Sequence, residues 1–387
     1  MNACDVVVVG GGIIGSSIAF ELAAENLRVR LIDRQAPGQE ATWAAAGMLS
    51  PGPHTPADEP LVPFARESLL LYPEFIAAIE EVSRMKVEFL RNGAIETFAG
   101  PQAEEKRDEL LKVHERFDLA AEAISIEEAR RMEPGLGPAA QAAAWLAKEA
   151  SVDPRSLMGA LITGAKNRGV ETVSQCPVKS LILDGRRCMG VSTESGRVDA
   201  KTVILAAGCY TGQIVDGSGR LREAIPTRPV RGQMVALRAE GTNLKRVIRA
   251  EKGYLVPRRD GRILAGSTLE DVGFEKRVTP EGLEEILDAA REIVPALVSA
   301  KILENWAGLR PGTPDALPIL GATEIEGLFV ATGHYRNGIL LAPATAKTMT
   351  KAILSGEVDD TMARFSPNRF AQENARGGSG AIASAKP

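Results

Sequence analysis

The chain of 387 residues has few of the side chains from which disulfide frameworks and metal sites are built. Its four cysteines are scattered without C-x-x-C spacing, and its three histidines lie far apart in no ligand-like pattern. These seven residues are Cys4, Cys176, Cys188, Cys209, His54, His114 and His334. The sequence therefore predicts no disulfide framework, no bound metal and a reducing compartment.

The chain also lacks a long apolar run and an excess of basic charge. No stretch reaches the roughly 18 consecutive apolar residues that span a bilayer. Residues 6–20 are apolar but follow Asp5 with no Lys or Arg before them, which argues against a secretory signal. The formal net charge is −4 at pH 7, with no basic block. We therefore expect a cytoplasmic protein that binds neither nucleic acid nor membrane.

The first 33 residues contain the most informative motif. An apolar run leads into Gly-Gly-Gly-Ile-Ile-Gly, and a second apolar run ends at Asp33. Gly10 allows a tight turn, Gly12 lets backbone amides approach a pyrophosphate, and Gly15 lets the following helix pack closely on the sheet. Asp33 can bind the hydroxyl pair of a ribose. This order predicts an adenine dinucleotide site, whereas a turn that only reverses the chain would not require the strand, helix and acid around it.

Later segments indicate that the chain leaves the dinucleotide-binding unit and returns to it. Residues 203–208 and 328–333 are apolar runs with small residues at their ends, as expected of central strands covered on both faces. We expect them to join the sheet formed by the first strand. Residues 233–238 and 262–267 are typical of strands in a second sheet. No internal repeat is visible, so a solenoid is excluded.

Four further segments have recognisable local patterns. Residues 101–132 predict one or two exposed helices, with His114 on a solvated face. Residues 155–168 predict a helix that ends before a glycine, and residues 281–294 predict a helix with one apolar stripe. Residues 178–193 are typical of a hairpin.

Two arginines near the C-terminus suggest the reaction class. Residues 306–315 are expected to form a loop with one cation, Arg310, among turn formers. Residues 333–343 are expected to lead from the end of a strand into an apolar helix, and they contain Arg336. A helix N-terminus attracts negative charge, and two guanidinium groups can hold a carboxylate by forked hydrogen bonds. Ion pairs at the surface or between domains are the alternative, but the adjoining glycine turns favour a site.

These motifs together resemble the D-amino-acid-oxidase family of FAD flavoproteins, and within it the glycine oxidase branch. The resemblance covers most of residues 3–365, although residues 95–145 match only loosely. The segments that carry it are residues 10–33, 41–49, 253–258, 306–313 and 333–345.

The resemblance implies an α/β fold. A Rossmann-type FAD-binding domain is combined with a discontinuous substrate domain built on a mixed or antiparallel sheet, similar to p-hydroxybenzoate hydroxylase. The expected FAD-binding segments are residues 1–80, 146–220 and 308–365, the substrate-binding segments are residues 81–145 and 221–307, and a flexible tail covers residues 371–387.

The dinucleotide motif and the resemblance together assign the cofactor contacts. These are Gly10, Gly12, Ile13, Ile14, Gly15, Asp33, Arg34, Ala41, Thr42, Ala46, Gly47, Met48, Val178, Gly208, His334, Tyr335, Arg336, Asn337, Gly338, Ile339 and Leu340. The resemblance also implies that Arg310 binds the substrate carboxylate, that Arg336 and Tyr254 belong to the substrate and catalytic site, and that Met48 faces it. The family's sarcosine-oxidase branch attaches flavin to a cysteine that this chain lacks, so FAD is expected to be non-covalent.

The implied activity is oxidative deamination of glycine and other small amines, such as sarcosine and D-alanine. Hydride transfer to flavin N5 would give an imine, then an oxo acid and ammonia, and dioxygen would yield hydrogen peroxide. The resemblance also implies a thiazole synthase partner in thiamine synthesis and a homotetramer. Two alternatives stay open: a D-amino-acid dehydrogenase that passes electrons to a quinone, and a non-catalytic flavoprotein subunit.

Overall fold

The computed structural model describes residues 4–214 and 223–370, which form three β-sheets flanked by helices. The strands are β1 (Cys4–Val9), β2 (Val29–Ile32), β3 (Met48–Leu49), β4 (Phe89–Leu90), β5 (Ala94–Phe98), β6 (Glu122–Ile124), β7 (Ala142–Leu146), β8 (Ala150–Val152), β9 (Glu171–Val173), β10 (Val178–Asp184), β11 (Arg187–Thr193), β12 (Gly196–Leu205), β13 (Arg228–Arg238), β14 (Val247–Ala250), β15 (Gly253–Pro257), β16 (Ile263–Gly266), β17 (Lys301–Gly312), β18 (Ile319–Ala322) and β19 (Leu328–Thr332). Within these residues the α-helices are α1 (Ile13–Ala24), α2 (Ala41–Ala44), α3 (Val62–Ser83), α4 (Ala103–Arg116), α5 (Ile126–Met132), α6 (Pro154–Asn167), α7 (Pro280–Ile293), α8 (Gly338–Ser355) and α9 (Asp360–Arg364). The expected tail, residues 371–387, and parts of the expected domain segments lie outside the described residues.

The first sheet has a parallel centre. Strand β1 lies between β2 and β12, β9 pairs with β2, and β19 pairs with β12, all in parallel. Val6 and Val8 belong to the apolar cluster on one face, while Val7 and Val9 belong to the cluster on the other. Because side chains alternate across a strand, an unbroken apolar run is what burial on both faces requires. The predicted strands at residues 203–208 and 328–333 are confirmed in this sheet.

Helices α1, α3, α6 and α8 cover one face of the first sheet. Ten of the twelve residues of α1 are buried, so this helix has no solvated face. A Cβ atom on Gly15 would lie 2.0 Å from the carbonyl oxygen of Gly10, which itself has φ of +106°. Both glycines therefore allow α1 to begin directly behind the turn that follows β1.

The second sheet is mixed, as expected. Its order is β17-β13-β16-β15-β14-β5-β7-β6, and only the contact between β14 and β5 is parallel. The apolar side of α7 packs on this sheet, with Ile286, Ala290 and Ile293 buried. Strands β13 and β16 confirm the predicted second-sheet strands.

Strand β17 corrects two expectations. Residues 306–312 are part of a twelve-residue strand that pairs with β13 from Arg228 opposite Gly312 to Arg238 opposite Lys301, and they are not a loop. The expected domain boundary at 307/308 falls inside this strand. The glycine at position 308 suggested a turn, but a Cβ atom there would lie 2.4 Å from Ala44 Cβ. Gly308 therefore serves close packing of α2 on the strand.

The other local predictions are confirmed with one exception. Helices α4, α5, α6 and α7 and the antiparallel hairpin β10–β11 form where they were expected. His114, however, is 4% exposed and does not lie on a solvated face. Its Nδ1 atom lies 2.9 Å from the carbonyl oxygen of Leu110, and its ring packs against Gly52. The charged residues that surround His114 in the sequence are typical of an exposed helix, so they gave no indication that this side chain is buried.

We expect Gly15→Ala to lower the free energy of unfolding by about 1 to 3 kcal/mol, because the added methyl group overlaps a backbone carbonyl. Gly159→Ala is the matched control. Gly159 lies on an exposed position of α6, and a Cβ atom there would approach nothing nearer than 3.6 Å. The control should raise the unfolding free energy by about 0.5 to 1 kcal/mol. Urea titration measures both values, and equal stabilities for the two variants would contradict the packing described here.

Candidate active site

A cavity of about 1200 Å³ lies between the first and second sheets. The residues that follow four parallel strands line it: Gly10 after β1, Asp33 after β2, Ala206 after β12 and His334 after β19. Ligands of open α/β sheets bind outside the carboxyl ends of the strands. The opposite wall comes from β13, β14, β15 and β17 of the second sheet.

The N-terminus of α1 provides an anion site at the cavity. Gly12 precedes the helix, and the first helical turn carries no acidic residue. Thr42 Oγ1 accepts a hydrogen bond of 3.0 Å from the amide of Ile13, which fixes α2 beside α1. Free backbone amides and the positive end of a helix dipole are the groups that bind a diphosphate. The residues therefore fit the pyrophosphate of a dinucleotide.

Asp33 and Arg34 lie on the other side of this turn. The Asp33 carboxylate accepts hydrogen bonds from the amides of Gly11 (2.6 Å) and Gln35 (2.7 Å), while burial raises the pKa of this carboxyl. The guanidinium carbon of Arg34 lies 3.5 Å from the ring centre of Tyr210, a lining residue that the sequence analysis missed.

Most of the predicted cofactor contacts share this cavity. Those that line it are Gly10, Gly12, Ile13, Ile14, Asp33, Arg34, Ala41, Thr42, Ala46, Gly47, Met48, Val178, Gly208, His334, Tyr335, Arg336, Asn337, Gly338 and Ile339. Gly15 does not line it, because it packs against the turn behind the cavity. Leu340 does not line it either: its side chain is 2% exposed in the core, and its carbonyl accepts a hydrogen bond from Ser68. The contacts themselves stay predictions.

Arg310 occupies the cavity wall on β17. Its Nη1 atom donates to the carbonyl of Thr268 (3.2 Å), and its Nη2 atom donates to Ser267 Oγ (2.7 Å). No carboxylate of the described residues forms an ion pair with it. The guanidinium lies over Gly232 of β13, where a Cβ atom would be 2.0 Å from Arg310 Nη1. Because Gly232 has no side chain, the guanidinium of Arg310 can lie directly against its backbone. A glycine inside a strand often indicates such a close approach.

The other predicted substrate residues lie near Arg310. Tyr254 and Arg336 both line the cavity and interact electrostatically with the Arg310 guanidinium. Burial is the main reason that the pKa of Arg310 falls below its ordinary value, and the positive charge of Arg336 acts in the same direction. Arg336 itself is exposed. The structure thus brings Arg310, Arg336, Tyr254 and Met48 to one end of one cavity.

A buried charge cluster at the same end was missed by the sequence analysis. Arg249 of β14 donates from Nε to Glu96 (2.6 Å) and from Nη2 to Glu149 (3.2 Å), and it also contacts Ser50. Ser50 donates to Glu149 at 2.7 Å. Burial raises the pKa of Glu149, whereas the charge of Arg249 lowers it. The only indication of this cluster in the sequence is a single arginine in the otherwise apolar strand Val-Ile-Arg-Ala.

His54 also lines this end of the cavity. His54 is exposed, and desolvation at the cavity wall together with the positive charges of Arg249 and Arg336 lowers its pKa below the ordinary value. The imidazole is therefore neutral at pH 7 and adds no charge to the wall. No sequence pattern around His54 indicated this position.

The four cysteines are free and buried. Residues 4–214 and 223–370 contain no cluster of three or more His, Cys, Asp or Glu side chains that could hold a metal ion. In the part of the chain that the structure describes, no helix combines the length and apolar character needed to cross a membrane.

Residues 5–352 match the protein family described as FAD dependent oxidoreductase, DAO. The chain belongs to this family. It is therefore an FAD-dependent oxidoreductase, as the sequence analysis predicts, and FAD is the dinucleotide whose site the glycine motif indicates. The FAD-binding fold is confirmed as well.

Sequence relatives extend this match along nearly the whole chain. A glycine oxidase of Pseudomonas aeruginosa is 35% identical over 356 residues, which cover 91% of this chain and 94% of the relative. A bifunctional protein ThiO/ThiG of Trichormus variabilis is 34% identical over 375 residues, or 95% of this chain. The chain spans only 55% of the length of that bifunctional relative.

A solved structure agrees with the fold described above. The crystal structure of glycine oxidase from Geobacillus kaustophilus superimposes with a TM-score of 0.90 at 30% sequence identity. The superposition covers 95% of this chain and 99% of the other. The mixed α/β architecture with a discontinuous second sheet is thus that of known members of the family.

The buried histidine at the end of β19 makes stability depend on pH. His334 is 3% exposed, its Nε2 atom lies 3.1 Å from Thr345 Oγ1, and burial lowers its pKa to about 3. Between the ordinary pKa of about 6.5 and pH 3, the unfolded chain binds a proton that the folded chain does not. Stability therefore falls as the pH decreases through this window.

We expect this histidine to cost about 2 kcal/mol of unfolding free energy between pH 7 and pH 5. The variant His334→Gln lacks this titration and should lose that much less over the same interval. Urea unfolding at the two pH values measures the difference. Parallel losses in wild type and variant would show that His334 does not titrate below its ordinary range.

Proposed function

We propose that the protein oxidises glycine and other small amines, including sarcosine and D-alanine, with FAD as the electron acceptor. The observation that carries this proposal is the half-buried guanidinium of Arg310, which has no carboxylate partner among the described residues and lines the same cavity as the dinucleotide turn. A partly desolvated cation of this kind is stabilised by an anionic ligand. The two relatives named glycine oxidase support the choice of an amino acid as that ligand.

Arg310 would bind the substrate carboxylate and fix its direction. Its two protein acceptors are neutral oxygens and occupy only part of a fork of five N–H donors. The remaining donors match a carboxylate in a bidentate arrangement. Tyr254 lies beside Arg310, and its hydroxyl, which now points to Met234 Sδ at 3.2 Å, can turn toward the same carboxylate.

Once the carboxylate is held, orientation lowers much of the barrier. A two-carbon amino acid anchored at one end leaves little freedom for its Cα–H bond, and such positioning is worth several kcal/mol. FAD, when bound, supplies the acceptor for the hydride that leaves Cα. Dioxygen is the proposed final acceptor, with hydrogen peroxide as the product. Hydrolysis of the imine gives the oxo acid together with ammonia, or with methylamine when sarcosine is the substrate.

The amine must lose its proton before the hydride leaves. The positive charges of Arg310 and Arg336 disfavour a substrate ammonium group and favour the neutral amine in the bound state. The arginines thus act on the substrate charge and do not themselves abstract a proton.

The biological context is part of the same proposal. The name ThiO/ThiG of the Trichormus variabilis relative supports a link between this oxidation and thiazole synthesis for thiamine, with a thiazole synthase as the partner that consumes the imine. A homotetramer and a cytoplasmic location stay predictions of the sequence resemblance.

We expect Arg310→Ala to raise the KM for glycine or sarcosine at least roughly 30-fold, because loss of a charge-assisted pair costs about 2 to 5 kcal/mol. The variant should keep its yellow flavin colour, since Arg310 is assigned to the substrate. Arg228→Ala is the matched control, because Arg228 begins β13 opposite Gly312 and its side chain is 53% exposed. Steady-state kinetics distinguish the two. Similar KM values in wild type and Arg310→Ala would remove Arg310 from the substrate site.

A substrate panel tests the reaction itself. Anaerobic mixing with glycine, sarcosine or D-alanine should bleach the flavin absorbance, and admission of air should restore it with formation of one peroxide per turnover. Bleaching that only a quinone reverses would favour the dehydrogenase alternative. Absence of bleaching with every amine would favour a non-catalytic flavoprotein and refute the proposal.

A further inference from the structure

Arg258 is a buried cation that the mechanism above does not use. It directly follows β15, is 5% exposed, and donates from Nη2 to the carbonyl oxygen of Ala46. Its Nη1 atom is buried without a hydrogen-bond partner. Asp153 and Glu88 interact with it electrostatically, but neither forms an ion pair with it. Burying a cation in this way is costly, so its position calls for a compensating function.

The contact with Ala46 fixes the direction of one peptide unit. The bond between Ala46 and Gly47 is trans, so the N–H group of Gly47 points opposite to the Ala46 carbonyl. The carbonyl points to Arg258, and Ala46 and Gly47 both line the cavity. No group of the described residues accepts a hydrogen bond from the Gly47 amide. This N–H group is therefore directed into the cavity.

The segment is held on its other side as well. The carbonyl of Gly47 accepts a hydrogen bond of 2.9 Å from the amide of Val152. Gly47 has φ of +78°, and a Cβ atom there would lie 1.9 Å from the carbonyl oxygen of Val152. The peptide unit between Ala46 and Gly47 is thus fixed by its hydrogen bond to Arg258. The peptide unit between Gly47 and Met48 is fixed by its hydrogen bond to Val152 of β8.

The position of this peptide along the cavity identifies what it faces. Thr42 binds the amide of Ile13 at the pyrophosphate turn, whereas Ser50 belongs to the cluster at the substrate end. Residues 42–50 therefore run along the cavity between these two ends. Ala46 and Gly47 lie in the middle, where the isoalloxazine of a dinucleotide that spans the cavity has to lie.

We propose that Arg258 is a positioning residue for the flavin: it directs the Gly47 amide at the ring and places a positive charge behind that peptide. Reduction of flavin to its anionic hydroquinone adds negative charge, and a buried cation on one side of the ring stabilises the reduced form. This inference requires FAD in the cavity and is independent of which amine is the substrate.

The midpoint potential of the bound flavin tests this role. The variants are Arg258→Met, which removes charge and donor, Arg258→Gln, which keeps a donor without charge, and Arg258→Lys, which keeps the charge. We expect Met and Gln to shift the two-electron reduction equilibrium at least about tenfold toward oxidised flavin, or about 30 mV. Lys should stay close to the wild type.

A second readout is binding of sulfite, whose adduct with flavin is also anionic. Its dissociation constant should rise about tenfold in Arg258→Gln and stay nearly unchanged in Arg258→Lys. The neighbouring Arg259→Met is the matched control, because Arg259 is exposed, and it should change neither readout. These measurements need no amine substrate, so their failure is distinct from failure of the proposed amine oxidation.

A purely structural arginine would give a different pattern. Weaker FAD binding in all three variants, with wild-type potential and sulfite affinity in the flavin that stays bound, would overturn the proposal. If Arg258→Met does not fold, comparison of Arg258→Gln with Arg258→Lys is sufficient to test the role, because these two variants differ in charge and both provide hydrogen-bond donors. Equal potentials in Gln and Lys would then refute the electrostatic role.

Discussion

The site depends on a positive charge, that of Arg310, which folding places half-buried in the cavity wall without a carboxylate beside it. Arg310 reaches the cavity because β17 pairs with β13, where Gly232 leaves space for a guanidinium. Its protein acceptors are neutral oxygens, so the charge is left for a ligand. A bound carboxylate would supply the negative charge that the Arg310 guanidinium lacks within the protein. The roles proposed for Tyr254 and Arg336 depend on this cation, because it would fix where a substrate carboxylate lies.

The arginines around the cavity differ in how they are compensated. Arg249 is held between Glu96 and Glu149, so its charge is satisfied inside the protein. Arg310 and Arg258 lack such partners among the described residues. Arg310, which lines the cavity, and Arg258, which lies behind its wall, therefore keep charges that no carboxylate of the described residues neutralises. Bound FAD and substrate contribute negative groups, and they should therefore stabilise the folded state as well as use it.

The sequence predicts those parts of the fold and site that depend on neighbours along the chain. The glycine motif from β1 to Asp33 is recognisable because every group it needs lies within one consecutive strand, turn, helix and second strand. Gly308 was misinterpreted because its packing partner lies in α2, far away in the sequence. The same reason explains why Arg249 and Glu149 were missed and why His114 was placed on a solvated face. Long-range partners decide these positions, and a single sequence does not display them.

Strand β17 of the second sheet is joined to helices α2 and α6 by aromatic packing. Trp306 donates to the carbonyl of Ala44 at 3.1 Å, and Arg155 stacks on both Trp43 and Trp306 while it pairs with Glu304. These contacts hold two parts of the cavity wall together, β17 and α2. These contacts oppose rotation of the second sheet away from α2 and α6, so the cavity is not easily widened in that way. Space for a larger amine would instead require shorter side chains at individual positions that line the cavity.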